Sequence, residues 1–279
     1  MTPPAESGAA PMPRLASEVG PPAPGRSWRP AAYRRVAGLA LPALILVSWE
    51  VLARVGALPP NWIPAPTTVA QAVRSLAASG ELWGHMGVTL LRVGAGFLLG
   101  AAAGTCLGVA TGYFTPARAL LDPLLQALRS IPSMAWAPLF LLWLGIGEPS
   151  KVALIAVGAF FPVYLNLASG IMAIDPKLVE VGQVFRFEGL ALIRRVLLPA
   201  TIPAYVVGLR SGLGLAWMFV VAAEIMGASR GLGFLMIDGQ SSSRPELIIA
   251  SVLLFAVLGK LTDFVLEALA ARWLRWRRA

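Results

Sequence analysis

Asp175-Pro176-Lys177-Leu178-Val179-Glu180-Val181-Gly182-Gln183-Val184-Phe185-Arg186-Phe187-Glu188-Gly189-Leu190-Ala191-Leu192-Ile193-Arg194-Arg195-Val196-Leu197-Leu198-Pro199, running on to Pro203, is a charged interruption between two apolar segments of membrane length. Asp175 suits an N-cap and Pro176 a first helical position, so a helix is expected to begin there. Leu178, Val181, Val184 and Phe185 then fall on one face, Phe187 and Gly189 mark a turn, and Leu190 to Leu197 form a second short helix. Leu198-Pro199 is expected to break that helix before the next apolar segment, with Pro203 in the first turn of the latter. An apolar stripe on a polar hairpin needs cover, which either a partner's groove or the lipid interface provides.

The rest of the chain sets that hairpin in a membrane. Of its 279 residues 57% are hydrophobic and 13% charged, against about 25% charged in soluble domains. Apolar stretches of about 20 residues, the length that crosses a bilayer as helix, recur along it. The expected fold is therefore all-α and polytopic, with about six transmembrane helices. The spans run over 36–55, 88–113, from Ile131-Pro132 to about Ile146, 152–172, 204–226 and 246–270. An amphipathic helix is expected over 67–78, an approach helix over 117–130, and a Gly-rich outer loop over 227–245. Residues 1–30 carry eight prolines among small residues and read as a disordered cytoplasmic tail, leaving 31–279 as the membrane domain.

Charge sets the orientation. With these spans, fifteen of the 23 lysines and arginines lie on the hairpin's side and five on the other, so both termini are expected in the cytoplasm. The net charge of +9 records topology and attraction to anionic membrane lipid rather than to nucleic acid. Cys106 and His85 are each the sole residue of their kind, which leaves no disulfide and no metal site built from them.

Within the spans a few residues stand out. Gly96, Gly100, Gly104, Gly108 and Gly112 recur every fourth residue and make a face for close helix approach, either inside one subunit or at a seam between two. Glu224, near the outer end of the fifth span, either gates a path or braces the outer loop. Arg210, deeper in the same span, either meets an anionic solute or is paired or snorkelled. The two lie about 21 Å apart along the helix, too far to pair. Arg92 is expected to snorkel and Lys260 to satisfy Asp263 three residues on. Gly259-Lys260 continues to Leu261 and lacks a phosphate cradle, so any ATP is bound elsewhere.

The hairpin resembles the loop of the permease subunits of ATP-binding-cassette importers, whose pattern is Glu-Ala-Ala, three residues, Gly, nine residues, then Ile-x-Leu-Pro. Glu180 stands at the Glu position and Val196-Leu197-Leu198-Pro199 closes the motif at the same spacing. Val181 and Gly182 replace the alanines and Arg186 replaces the glycine, so either Arg186 takes a left-handed turn at a cost or the turn moves toward Gly189. Leu142-Trp143-Leu144-Gly145-Ile146-Gly147-Glu148 and Ala223-Glu224-Ile225-Met226-Gly227-Ala228 match further, closest to permeases of the sulfonate, nitrate and taurine type.

The resemblance implies a type I importer permease in the bacterial inner membrane, with no catalytic residue of its own. It would work with a separate ATPase that binds the ATP, a periplasmic or lipid-anchored solute-binding protein and a second permease copy. The segment 175–203 would then dock the ATPase through Glu180, Val181, Gly182, Val184, Phe185, Arg186, Gly189 and Pro199. Two other classes compete: an ion-coupled secondary transporter using Glu224 or Asp263, and an intramembrane enzyme, for which His85 sits too near the outer edge.

Overall fold

The computed structural model describes residues 31–273, so the Pro-rich segment 1–30 expected to be disordered and the last six residues lie outside it. The described chain is helical without strands: α1 (Ala31–Arg54), α2 (Pro66–Ser79), α3 (Glu81–Tyr113), α4 (Thr115–Arg129), α5 (Trp136–Leu144), α6 (Glu148–Met172), α7 (Pro176–Val184), α8 (Gly189–Leu192), α9 (Leu198–Ile225), α10 (Leu232–Ser241) and α11 (Pro245–Trp273). Among the described residues four runs are long and apolar enough to cross a membrane: 81–113, 148–172, 189–225 and 245–272. The chain divides into two units, 1–48 and 49–279, with α1 passing from one into the other. Helices α2 to α11 all belong to the second unit.

The centre of this unit is α6, whose Ile155, Ala159, Val163 and Leu167 are completely buried. The glycine face of α3 lies against one side of it. A Cβ on Gly96 would come within 2.5 Å of the Ile155 side chain, on Gly104 within 2.8 Å of the Phe160 carbonyl oxygen, and on Gly112 within 2.9 Å of Ile171 Cβ. One on Gly100 would overlap the Ala156 carbonyl, and one on Gly108 would press on Tyr164 and Leu167. Helix α9 packs on α6 in the same manner, with Gly208 against Asn166, Gly212 against the Ala159 carbonyl, and Phe219 filling the notch at Gly158. With no hydrophobic drive between helices in lipid, this backbone-to-backbone contact is what van der Waals packing needs.

Three expectations are corrected. The third span is shorter than expected: beyond the approach helix α4 and the break at Ile131-Pro132, a 3₁₀ turn covers Ser133–Ala135 and α5 has only nine residues. The outer loop 227–245 holds a ten-residue helix, α10, packed on α2 and α11 through Leu235, Ala72 and Leu247. Pro199 does not break the chain between α8 and α9. A π turn at Ile193–Leu197, with the Leu198 N–H bonded to the Ile193 carbonyl, carries the helix through. The Arg195 carbonyl that the proline ring would crowd lies within this widened turn, so the ring is accommodated and 189–225 runs on as one helix.

Candidate functional site

The hairpin is built from backbone outward. Asp175 Oδ1 accepts the Lys177 N–H at 2.9 Å with Pro176 opening α7, an N-cap as its sequence requires. At the other end the Phe187 N–H donates to the Gly182 carbonyl at 3.0 Å and the Arg186 N–H to Gln183 at 2.8 Å. That bond pair is a Schellman cap, and the residue at its left-handed position is Arg186, with φ +62°. Gly189 is left-handed too, at φ +50°. Both alternatives for the turn are therefore realised together. A non-glycine residue in this region costs about 1 kcal/mol.

Gly182 is buried where α7 folds back, and a Cβ there would meet Leu192 at 2.8 Å and Val196 at 3.0 Å. Leu192, Ile193 and Leu197 join Leu167 and Ile171 in the core at this end of the bundle, with Val179 and Phe187 packed on it. Phe187 also carries the Arg195 guanidinium 5.0 Å from its ring centre, within cation–π range. One face of the hairpin is thus fixed to α6 and α9, while the other presents Leu178, Val181, Val184 and Phe185; Val184 is 81% exposed and Phe185 68%. Glu180 and Arg186 are exposed beside them, and Pro199 lies at the start of α9.

At the opposite end sits a second cluster. Arg92 does not snorkel: it is 4% exposed and every arm of its guanidinium is used. Nε and Nη2 donate to the two Glu148 carboxylate oxygens, each at 2.6 Å. Nη1 donates to Glu224 Oε1 at 2.9 Å and to the Arg230 carbonyl at 2.6 Å. The sequence reading failed here because it treated Arg92 alone, whereas its partners lie 56 and 132 residues away. Pairing opposite charges of matching depth on different spans would have found them.

Glu224, whose side chain is fully buried, also accepts the Thr89 hydroxyl at 2.8 Å and the Gly233 N–H at 2.7 Å. Thr89 Oγ1 receives the Leu232 N–H at 2.9 Å, and His85 Nδ1 the Gly231 N–H at 3.1 Å. These are the otherwise unpaired donors at the start of α10, so the carboxylate sits at a helix N-terminus, where its charge is favoured. A Cβ on Gly231, at φ +124°, would fall 2.5 Å from the Glu224 carboxylate and 2.7 Å from Arg92 Nη1. The arrangement ties α3, α6 and α9 to the loop ahead of α10. Within it Glu224 is enclosed, while Glu148 is 59% exposed and, with Arg92 and Arg230, lines an open cavity.

Arg210 is placed apart from both clusters. Its Nε and Nη2 make a two-pronged pair with Asp263 of α11 at 2.9 Å each, and Nη2 lies 3.2 Å from Glu267. Lys260 reaches Asp263 at 3.3 Å, so Asp263 is shared and held chiefly by Arg210. Among the described residues no group of three His, Cys, Asp or Glu side chains is placed to hold a metal ion.

Comparison with known proteins joins these features. Residues 96–275 match the family described as the binding-protein-dependent transport system inner membrane component. A protein of Bacillus subtilis (strain 168) named for aliphatic sulfonates transport, the permease SsuC, is 40% identical over 96% of each chain. Its namesake in Escherichia coli (strain K12) is 38% identical, over 88% of this chain and 93% of that one. The taurine transport system permease TauC of the same strain is 29% identical, over 89% and 93%. Among solved structures, the inward facing MetNI methionine ABC transporter aligns with TM-score 0.54 at 21% identity, over 71% of this chain and 96% of the matched one, a likeness of fold.

Proposed function

We infer the role of this chain from its kinship: it belongs to the family of binding-protein-dependent transport system inner membrane components, and it is the membrane-spanning permease of an ATP-driven importer, a transport subunit rather than an enzyme. Its solute is a small anion, in first place an aliphatic sulfonate. The end-to-end likeness to the relatives named for sulfonate transport carries that reading, since it takes in the hairpin and the outer cluster alike. Taurine, itself a sulfonate, and nitrate stand next.

The hairpin is the part that receives force. Its inner face is anchored on α6 and α9 and its outer face carries an uncovered apolar ridge, which suits a groove on a separate ATPase subunit better than a flat lipid surface. A second copy of the chain completes the path, with both termini in the cytoplasm and the solute-binding protein on the opposite side. Glu224 and its partners brace the outer end, and Arg210 is held by α11 at the side of the path.

The test is uptake into proteoliposomes holding the permease with the ATPase and binding protein of its own system. Labelled ethanesulfonate should accumulate only with ATP inside and binding protein outside, and unlabelled taurine should compete. Accumulation without ATP that collapses with the proton gradient would instead make this an ion-coupled carrier.

A further inference from the structure

We propose that Arg186 is an affinity contact of the docking face, pairing with a carboxylate on the rim of the ATPase groove; this rests on the hairpin being the ATPase dock. The residue occupies a backbone conformation, φ +62°, that glycine adopts without cost. The cap around it is closed by main-chain bonds from Arg186 and Phe187 to Gln183 and Gly182, so nothing in the turn itself calls for an arginine. A side chain kept where the backbone disfavours one points to a use outside the fold.

The surroundings indicate what use. Arg186 is exposed, and no ion pair among the described residues engages it, Arg194 or Arg195. It directly follows Val184 and Phe185, the most exposed apolar side chains of the hairpin, which puts its backbone at the edge of that ridge. Phe187, on its other side, stacks with Phe185 at 6.3 Å and lies under the Arg195 guanidinium. An apolar ridge with cations at its edge fits a groove with an apolar floor and an acidic rim. Glu188 stands two residues on and makes no ion pair with Arg186, leaving the cation available to a partner. Arginine suits such a site because its planar fork takes a carboxylate with two hydrogen bonds.

The experiment titrates the permease, in nanodiscs of phosphatidylcholine alone, with the ATPase subunit of its own system at low and high salt. Arg186→Gly should weaken binding about three- to ten-fold at low salt. The deficit should shrink at high salt as the wild-type pair is screened, and Arg186→Lys should recover part of it. Because glycine is the residue the turn prefers, loss of binding in this variant is not loss of fold. Equal or tighter binding by Arg186→Gly with an unchanged salt response overturns the proposal. So does a deficit that appears only in discs containing anionic lipid, which would assign the arginine to headgroups. The double variant Val184→Asp, Phe185→Ala separates the two levels: if it binds normally the docking reading itself falls, whereas its failure beside a normal Arg186→Gly removes only the claim about Arg186.

Discussion

A guanidinium at 4% exposure has no water to fall back on, and Arg92 keeps its charge through Glu148 and Glu224. The two carboxylates are not equivalent. Glu148 is 59% exposed and can be rehydrated if the arginine leaves, while Glu224 is completely enclosed. Removing one partner of a buried pair strands the other, at about 3–5 kcal/mol. Arg92→Ala should therefore lower the thermal midpoint of the purified permease sharply, and Glu148→Gln by much less, measured by intrinsic fluorescence. Equal small shifts in the two would show that the outer brace contributes little. The place of Glu224 just before a glycine-rich outer loop was legible in the sequence, with gate and brace both left open. Its hydrogen-bond partners were not, since they come from other segments that only tertiary packing brings to it.

Among the elements, the glycine face of α3 shows where local pattern is informative and where it stops. Spacing by fours announces close approach to some helix. It describes one surface, so it could not say whether the facing helix is α6 of the same chain or belongs to a second copy. The structure puts α6 there. Gly94, by contrast, lies off that face with open space at its Cβ position. Gly100→Val should abolish the monodisperse peak of the solubilised protein in size-exclusion chromatography, while Gly94→Ala should leave it intact and add up to about 1 kcal/mol of helix propensity. Similar outcomes for both would mean that the contact with α6 does not hold the bundle together. Proline rules served less well. They read Pro199 as a stop, but a widened turn one step earlier absorbs the ring, a solution available to any helix whose neighbours hold it in place.

For the molecule as a whole, hydropathy and charge made the all-helical membrane fold legible, and the hairpin spacing made the family legible. The shortness of α5 was not, because apolar composition marks what can enter a bilayer without saying whether one helix spans it. The orientation proposed from basic residues gathered on one side is checkable directly. In a Cys106→Ser background, Lys177→Cys should react with a membrane-impermeant maleimide only in inside-out vesicles, and Asn61→Cys only in right-side-out ones. The reverse pattern would invert the assignment and place the hairpin outside the cell.

Residues 189–225 form one continuous helix, about 55 Å long at 1.5 Å per residue. Its near end carries the residues that pack under Gly182, and its far end carries Glu224. In the proposed importer, a displacement imposed at the hairpin end would travel along a single rod to the Glu224 carboxylate, without being handed from side chain to side chain.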